Sequence, residues 1–514
     1  MATLKLTHQT YNNFSGGYAC EQAYINEKMV SFIGDSKNID IYATESNNGY
    51  GFKKCLGNRT YLQIQGEKIK NLFSYNYSKD GHYLIVHTVD DTEGKLYYIN
   101  QANTPVLLKS GLDKDAIECS FVNFSQTLPN KRYLGLFCNG VDPIIKIELG
   151  ANPEIEEIDE QDSEGRDVRG TTLEAYYGRV WCGVDDRIHW SKSLDPFTWS
   201  TTEDDAGWAQ LDSDIIAITT YAGGLLISTK KSIYYCQKDT SNTGFIFSVL
   251  SPNYSISSRG LIKHDNYALY MANDGIYPVN VTQEDTKRVE EDITGLIQNW
   301  LIRRDIFKEC ENFALSVTSN EHNEVWFQIP IRDMPNNSVI FIYRFITGRQ
   351  KHYYWLPPRV QQKINCLIEF DNLILSGTDD GKILQELMGD TFDGANIESI
   401  AEFPELDFNG TYNKQKYKLF IYTEVNDKNN FYVDYFFDGE TDYDRQEVIC
   451  ENSSSKWGVA KWGVDLWSSV IMLQYMLDKP RKHNRLKLRF VAENSNQQFR
   501  INKFETSKIK VKNK

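Results

Sequence analysis

The chain has 514 residues, of which 41% are hydrophobic and 25% charged, an ordinary composition for a folded globular protein. Its 70 acidic and 56 basic side chains give a net charge of −14, which argues against a protein that wraps a nucleic-acid backbone. The same charge still permits DNA to pass along an acidic wall that must not grip it.

Nine cysteines are scattered along the sequence, and none of them forms a CxxC pair. This pattern predicts reduced, mostly buried thiols in a protein made in a cytoplasm. The first residues lack the apolar core of a signal peptide, and no run approaches the roughly 18 apolar residues of a membrane span. We therefore expect a soluble protein made inside a cell.

Residues 171–236 set the pattern for the rest of the chain. Alternating runs at 173–181 and 187–191 are followed by the loop Asp-Pro-Phe-Thr-Trp at 195–199, and then by apolar runs at 215–218, 224–228 and 231–235. Short apolar runs bounded by Gly, Asp and Asn are typical of strands joined by tight turns. The order predicts blades of a β-propeller, with Trp181 in the core.

Similar units recur on both sides of this stretch, at 69–99, 118–149, 261–277, 313–345 and 364–384. Repetition of one supersecondary unit favours a closed ring of about six or seven blades. The predicted fold class is therefore mainly β. We expect an N-terminal arm at 1–66 that closes the propeller, the propeller itself at 67–390, and a C-terminal β-sandwich or platform at 391–514.

Two insertions interrupt the repeats. Residues 289–309 carry apolar side chains at helical spacing and predict one inserted helix. Residues 154–169 are rich in Glu and Asp, so they can be interpreted as a divalent-cation site or as a solvated surface loop. Because the acidic residues lack the spacing of a calcium loop, the solvated loop is the preferred interpretation.

Tryptophans supply the candidate interface residues. Trp457, Trp462 and Trp467 fall five residues apart in a loop region of the C-terminal part, and Trp300 lies on the predicted helix. Large aromatic side chains at an interface centre dominate its binding energy, although packing inside the protein remains an alternative for them. At the C-terminus, residues 508–512 alternate lysine with apolar residues and predict an edge strand protected by charge.

Motifs of catalysis are absent from the sequence. The eight histidines are isolated, and neither HExxH, GxSxG nor a Walker loop occurs. We therefore expect no enzymatic activity, no cofactor, no metal site and no catalytic residue. Paired carboxylates near exposed tryptophans would instead suit a glycan-binding or glycan-cleaving propeller, which we keep as the alternative.

The pattern of residues 187–191, 195–199, 215–218, 224–227 and 231–234 resembles the tail nozzle, or tail-hub and "stabilisation", proteins of short-tailed bacteriophages, of podovirus type and including the crAss-like phages. Residues 12–17, residues 274–277 and the Trp-Gly-rich C-terminal part extend this resemblance over most of the chain.

The resemblance implies a β-propeller with a second β platform, assembled as a ring, usually a homohexamer, below the portal and adaptor proteins. Such a ring lines the DNA ejection channel and holds tail spikes or fibres. We therefore expect a structural protein of the virion tail that is assembled in the host cytoplasm, makes no sequence-specific contact with the transiting DNA and has no membrane span. A monomeric scaffold propeller with a peptide-binding face is a further possibility.

Overall fold

The computed structural model describes residues 7–19, 29–44, 49–78, 81–116, 118–126, 132–150, 153–200, 205–239, 244–264, 267–281, 287–289, 293, 315–329, 335–346, 352–407, 414–424, 430–449, 470–476, 481–482, 485–493 and 500–510. Their regular structure consists of β-strands, numbered β1 to β43 in chain order, and no α-helix occurs among them. Accordingly, these residues hold no helix of the length and apolarity that crossing a membrane requires. The predicted mainly-β fold is confirmed.

Seven small sheets follow one another along the chain, and all of their strand pairs are antiparallel except one parallel pair in the seventh. The first contains β5 (Lys68–Ser78), β6 (Gly81–Val89), β7 (Gly94–Ile99) and β8 (Pro105–Leu112). The second contains β9 (Ser120–Gln126), β10 (Arg132–Cys138), β11 (Ile144–Glu148) and β12 (Glu154–Ile158). The third contains β13 (Thr172–Tyr176), β14 (Arg179–Val184), β15 (Arg187–Trp190) and β16 (Gly207–Gln210). The fourth contains β17 (Ile215–Tyr221), β18 (Gly224–Thr229), β19 (Ile233–Lys238) and β20 (Phe245–Ser251).

The fifth small sheet also has four strands in consecutive order, whereas the sixth and seventh have additional strands. The fifth contains β21 (Leu261–His264), β22 (Tyr267–Met271), β23 (Ile276–Val281) and β24 (Lys287–Val289). The sixth contains β25 (Leu315–Ser319), β26 (Glu324–Ile329), β27 (Asn337–Ile346), β28 (His352–Trp355) and β29 (Arg359–Gln362). The seventh contains β30 (Cys366–Phe370), β31 (Leu373–Gly377), β32 (Lys382–Glu386), β33 (Thr391–Phe392), β34 (Ala395–Asn396) and one strand from the N-terminal part, β4 (Asn58–Gln63).

Tight turns account for the up-and-down order of the strands. Tyr177 and Gly178 both have positive φ, 52° and 69°, between β13 and β14. Ala222 and Gly223 repeat this geometry, with φ of 48° and 78°, between β17 and β18. Two consecutive residues with positive φ form the type I′ turn, whose twist matches that of a β-hairpin. The chain therefore returns on itself after each strand.

The first strands of the seven sheets contact one another in cyclic order. β5 contacts β9, and the contacts continue through β13, β17, β21, β25 and β30, which in turn contacts β5. Separate apolar clusters fill the spaces between most neighbouring sheets, for example the cluster of Trp181, Ile188, Leu225 and Ile227 between the third and fourth. Trp181 is fully buried there, as predicted.

Two larger sheets contain the rest of the described strands. One consists of β1 (Thr7–Tyr11), β2 (Ile39–Ala43), β3 (Tyr50–Lys54), β37 (Lys414–Glu424), β40 (Val470–Met476), β41 (Arg481–Lys482) and β43 (Arg500–Lys510). The other consists of β35 (Ser399–Glu402), β36 (Leu406–Asp407), β38 (Phe431–Phe437), β39 (Tyr443–Val448) and β42 (Arg485–Ala492).

A core of aromatic rings joins the two larger sheets. Phe52 on β3 packs edge-on against Phe490 on β42, with 5.7 Å between ring centroids. Phe14 contacts both Phe52 and Phe504. The same hydrophobic cluster continues to Trp326 and Phe341 of the sixth small sheet. The larger sheets are therefore packed against one side of the set of small sheets.

Residues 1–66 divide between the two sets of sheets. β4 pairs with β32 and completes the seventh small sheet, which joins the N-terminal part of the chain to the last repeat. β2 and β3 pair with each other, and β3 then pairs with β43 near the C-terminus. β4 thus belongs to the seventh small sheet and β1 to β3 to a larger sheet, while an N-terminal arm at 1–66 that closes a propeller stays a prediction.

Two further expectations are corrected by strand pairing. Lys508 lies between Thr7 on one side and Tyr417 on the other, so β43 is an internal strand rather than the predicted edge. β43 is internal because two strands that are distant in sequence, β1 and β37, occupy both of its sides.

The acidic stretch 154–169 is not simply a solvated loop. Glu154–Ile158 forms the outer strand β12 of the second sheet. The side chain of Asp162 is fully buried, and its Oδ2 accepts a hydrogen bond of 3.0 Å from Nη1 of Arg187. Burial opposes ionisation of Asp162, but backbone N–H groups of Arg166 and Glu164 donate to the carboxylate and lower its pKa to about 2. This carboxylate links the second and third sheets.

Buried ion pairs also join more distant strands. Nη2 of Arg359, on β29, lies 2.7 Å from Oε2 of Glu386, on β32, and both side chains are almost inaccessible to water. The same guanidinium donates to the backbone carbonyl oxygen of Gly57 at 3.1 Å. Asn58, the first residue of β4, donates to Glu386 at 3.2 Å. We call this group the β4 latch, because it connects β4 to the sixth and seventh sheets.

The predicted helix at 289–309 lies outside the described residues, apart from Val289, which ends β24, and Ile293. Nothing in the described part of the chain therefore tests whether that segment is helical.

Candidate functional site

The four predicted interface tryptophans, Trp300, Trp457, Trp462 and Trp467, also lie outside the described residues. Their role at an interface stays a prediction. Two other features of the described residues are candidate functional sites. One is a polar cavity among the small sheets, and the other is an exposed apolar strand at the edge of a sheet.

The cavity has a volume of about 680 Å³ and lies where the first strands of the second to fifth sheets begin. Its lining comes from the segments that lead into β9, β13 and β21, from the start of β17 and the residue before it, from the end of β14 and its turn, and from the turns after β10 and β18: Glu118, Gly140, Arg169, Gly170, Thr171, Gly183, Val184, Asp185, Asp214, Ile215, Ile216, Lys230, Tyr254 and Ile256. This volume lies within the range of small-ligand pockets.

Close backbone packing shapes one wall of the cavity. A Cβ atom added to Gly170 would lie 2.1 Å from the carbonyl oxygen of Gly183, far inside van der Waals contact. Glycine at position 170 therefore allows the chain entering β13 to lie directly on the end of β14. The sequence shows a glycine at position 170, just before a predicted strand. The contact of Gly170 with Gly183 could not be inferred from the spacing of the residues.

The two basic side chains of the lining already have acidic partners. Nζ of Lys230 lies 2.9 Å from Oδ2 of Asp214, itself part of the lining. Nη2 of Arg169 lies 2.8 Å from Oδ1 of Asp159, which is outside the lining. Both cations are therefore largely neutralised.

Two carboxylates of the lining have no such partner. Among the described residues, no basic group lies within ion-pair distance of Glu118 or Asp185. Burial raises the pKa of Glu118, and the positive charges of Arg259 and Lys230 oppose that rise. The cavity consequently combines a half-buried carboxylate, an exposed one at Asp185, and no free cation among its described side chains.

Arg259 spans the space between several small sheets, close enough to Glu118 for its charge to act on that carboxylate. It precedes β21, yet its Nη1 donates to Oδ1 of Asn71 in the first sheet at 2.8 Å and to the carbonyl oxygen of Asn365, before the seventh sheet, at 3.3 Å. One side chain therefore joins three sheets of the cycle. The Arg259 side chain also occupies space between the first strands of the small sheets, so that space is not an open passage where Arg259 lies.

A histidine and a cysteine lie near Arg259 but are unsuited to nucleophilic chemistry. Nδ1 of His87 lies 3.5 Å from Sγ of Cys119 and 3.1 Å from Nδ2 of Asn71. Burial lowers the pKa of His87 to about 3, while burial raises the pKa of the Cys119 thiol far above its usual value. Both groups are therefore neutral and enclosed, and an activated thiolate is disfavoured.

Metal ligands do not converge in the described part of the chain. No group of three or more His, Cys, Asp and Glu side chains there has the arrangement to hold a metal ion. Of the nine cysteines, six are described, and all six are free and buried: Cys55, Cys119, Cys138, Cys182, Cys236 and Cys366.

The apolar edge is strand β20, the outer strand of the fourth sheet. Within the described structure it pairs only with β19. Ile246 and Val249 are 47% and 57% exposed, although they lie in a sheet. The sequence of β20, Phe-Ile-Phe-Ser-Val-Leu-Ser, contains neither a charge nor a proline.

Other outer edges carry the features that prevent strands from pairing with foreign chains. β8 contains Pro105 and Lys109, and β12 contains three glutamates. β16 and β28 have four residues each, and β24 has three. Short strands, prolines and charges protect natural edge strands from association. β20 lacks all three.

Two exposed residues in unusual backbone conformations extend this surface. Tyr177 and Leu194 are 52% and 39% exposed and have φ of 52° and 60°. The Tyr177 ring contacts that of Phe245, at the start of β20, with 6.5 Å between centroids. The positive φ of Tyr177 belongs to the type I′ turn between β13 and β14, so the turn holds this ring at the surface beside β20. We call Tyr177, Leu194, Ile246 and Val249 the β20 surface.

Comparisons with known proteins identify no family. No protein-family model matches the chain, and no curated protein matches it. Among solved structures, the chain is similar to a crystal structure of the computationally designed Ika8 protein, with 14% sequence identity and a TM-score of 0.33. That match covers 64% of this chain and 99% of the designed one. A TM-score this low does not establish a shared fold.

Proposed function

We propose that this chain is a structural virion protein, a ring-forming nozzle or hub component of a short phage tail. The seven small sheets are the blades of a closed β-propeller, and the two larger sheets form a β-sandwich beside it. The virion assignment comes from the resemblance carried by residues 175–236. Cyclic contacts of the first strands and completion of the last sheet by β4 support the propeller.

The β20 surface is the observation that carries the assembly role. An edge strand without charge or proline and with exposed apolar side chains offers backbone groups and apolar area to another chain, although an irregularity interrupts the pairing of β20 with β19 near Val249. In a ring, its occupant is the neighbouring subunit of the same protein, in a homohexamer. The remaining partners are the portal and adaptor proteins on one side and spikes or fibres on the other.

The DNA path in this proposal lies between subunits. Arg259 occupies the interior of the seven-sheet cycle, so transiting DNA passes along the axis of the ring rather than through one chain. The net charge of −14 suits such a lumen, because an acidic wall does not bind phosphates. The protein has no catalytic role in this scheme and belongs to the tail of the virion, after assembly in the host cytoplasm.

The assembly role is tested with Val249→Lys, followed by negative-stain imaging of tails assembled with the variant. A charge on the apolar edge should abolish ring formation while leaving the melting temperature unchanged. Leu107→Lys is the matched control, since Leu107 is 51% exposed on the already protected edge β8. Normal rings with Val249→Lys would exclude β20 from the interface. A reconstruction of the native particle that lacks this chain on the tail axis would refute the tail assignment itself.

The cavity favours one alternative function, a glycan-binding propeller for host adsorption. Glu118 and Asp185 can accept pairs of sugar hydroxyl groups, and Tyr254 supplies an aromatic ring in the lining. Titration of the full chain with host surface oligosaccharides tests this alternative. Saturable binding that Glu118→Gln abolishes would support it.

A further inference from the structure

We propose that Arg259 binds a carboxylate group, which comes from a small carboxylic acid or from an acidic side chain of a partner. The binding site is the edge of the guanidinium formed by Nε and Nη2, in the space between the small sheets. This inference does not depend on the tail assignment, because it follows from the contacts of one side chain.

The contacts of Arg259 use only part of its guanidinium. Nη1 donates to Oδ1 of Asn71 at 2.8 Å and to the carbonyl oxygen of Asn365 at 3.3 Å, and neither acceptor carries a charge. Within the described part of the chain, Nε and Nη2 have no hydrogen-bond acceptor. These two nitrogens point their N–H groups in parallel, which is the arrangement that binds both oxygens of a carboxylate.

Other enclosed guanidinium groups of this chain are paired with carboxylates. Nη2 of Arg359 lies 2.7 Å from Glu386, and Nη1 of Arg187 lies 3.0 Å from Asp162. Among the described residues, no acidic group lies within ion-pair distance of Arg259, although burial is strong enough to lower its pKa. Because enclosed charges in proteins are normally paired, this difference points to an anionic ligand.

The charge of Glu118 decides which anion suits the site. The positive charge of Arg259 opposes the rise in pKa that burial causes in Glu118, yet no ion pair joins the two side chains. Glu118 therefore offsets part of the charge of Arg259 at a distance and leaves its N–H groups free. The second negative charge of a phosphate would gain little attraction here, so a carboxylate, with one negative charge, is the better match.

Arg259 is also accessible and held in place before a ligand arrives. The residue is half-buried rather than enclosed on all sides. Its carbonyl oxygen accepts hydrogen bonds from the backbone N–H of Ser316 at 2.9 Å and from the hydroxyl group at 2.7 Å. Asn365, which accepts from Nη1, is anchored in turn by a hydrogen bond of 2.8 Å to the carbonyl oxygen of Ile69. Such preorganisation lowers the entropic cost of binding.

The experiment measures binding of acetate to the full-length chain by saturation-transfer NMR at low salt, with acetamide as the neutral ligand of the same shape. We expect saturable binding of acetate and no binding of acetamide. Arg259→Gln should weaken acetate binding at least about tenfold, because it removes a charged pair of donors. Glu118→Gln should strengthen it by about two- to fivefold, because it removes a like charge near the ligand.

Arg169→Gln is the matched control, because the guanidinium of Arg169 already lies 2.8 Å from Asp159. It should leave the affinity for acetate unchanged. Circular dichroism checks that each variant is folded. If Arg259→Gln is unfolded, Glu118→Gln still tests the inference, since it keeps the bonds by which Arg259 joins the small sheets.

Two peptides identify the source of the carboxylate: acetyl-Gly-Ser-Glu-Ser-Gly-amide and its version with Gln at the central position. Binding of the Glu peptide but not of the Gln peptide would support an acidic side chain of a partner as the ligand. Binding of acetate without binding of the Glu peptide would support a free small carboxylic acid.

Four outcomes would overturn the inference: no saturable binding of acetate, equal binding of acetamide, weaker binding in Glu118→Gln, or a loss of binding in Arg169→Gln that equals the loss in Arg259→Gln. Because ring formation is measured separately on assembled tails, failure of this inference is distinguishable from failure of the tail assignment.

Discussion

Replacement of Glu386 by glutamine tests whether the β4 latch holds the cycle of small sheets closed. The carboxylate is fully buried and accepts hydrogen bonds from Arg359 at 2.7 Å, from Gln361 at 2.9 Å and from Ser376 at 2.6 Å. Asn58 donates to it as well, at 3.2 Å. Glutamine has nearly the same volume, but it removes the negative charge and places an NH₂ group among these donors.

The expected cost is large because Arg359 stays buried. Breaking a buried ion pair by removing one partner destabilises a protein by about 3–5 kcal/mol. Arg359 has no exposed position to move to, since its Nη2 also bonds the carbonyl oxygen of Gly57 at 3.1 Å and its guanidinium stacks on Phe392 at 4.7 Å. We expect the free energy for opening β4 from β32 to fall by this amount.

Hydrogen exchange of the β4 backbone amides measures that local opening directly, which avoids the assumption that 514 residues unfold in one step. A loss of about 3–5 kcal/mol lowers amide protection by roughly two to three and a half orders of magnitude. A change below about tenfold would refute the argument, because it would mean that the latch does not hold β4 in place.

Two controls accompany this variant. Glu398→Gln removes one partner of the exposed pair with Lys37 and should change protection by less than about 1 kcal/mol. The double variant Arg359→Met, Glu386→Leu removes both charges and should recover much of the stability that Glu386→Gln loses. No recovery would show that Glu386 acts through its other hydrogen bonds rather than through Arg359.

Three further predictions concern single side chains. Trp181→Ala should destabilise the third small sheet by about 3–5 kcal/mol, measured by hydrogen exchange of the β14 backbone amides, because Trp181 is fully buried; a loss under about 1 kcal/mol would contradict its place in the core. Burial raises the pKa of Glu174 to about 7, above the unfolded value of 4.5, so this carboxyl group should make stability fall as pH rises from about 4.5 to 7. Glu174→Gln should remove that part of the pH dependence, and an unchanged pH profile would reject the assignment. Burial also raises the pKa of the Cys55 and Cys182 thiols, to about 11 and about 12. A thiol reagent at pH 8 should therefore label these two residues only after unfolding, and rapid labelling of the native chain would contradict their burial.

Local patterns in the sequence located most strands of the seven small sheets. Runs such as those at 173–181 and 224–228 alternate or are wholly apolar, and residues such as Gly178 and Gly223 mark the turns between them. These signals depend on neighbouring residues only, so each repeat could be found without knowledge of the others. The burial of Trp181 followed from the same reasoning.

The candidate sites were less accessible to such reasoning. The absence of charge and proline in Phe245–Ser251 was visible in the sequence, but it has meaning only once β20 is known to be an outer edge. Nothing in the sequence distinguished Glu118 from the other acidic residues. Whether Glu118 has a basic partner depends on which loops surround it in the folded chain.

The sequence by itself determined the β-rich character, the repeated sheets and the buried thiols, because these follow from local periodicity and composition. Only the tertiary structure decided that β4 completes the seventh sheet, that Lys508 lies inside a sheet, and that Asp162 is buried beside Arg187. Each of these facts joins residues that are distant along the chain. Alternation shows that a strand has two faces, but the strand that lies beside it depends on where the folded chain brings its other segments.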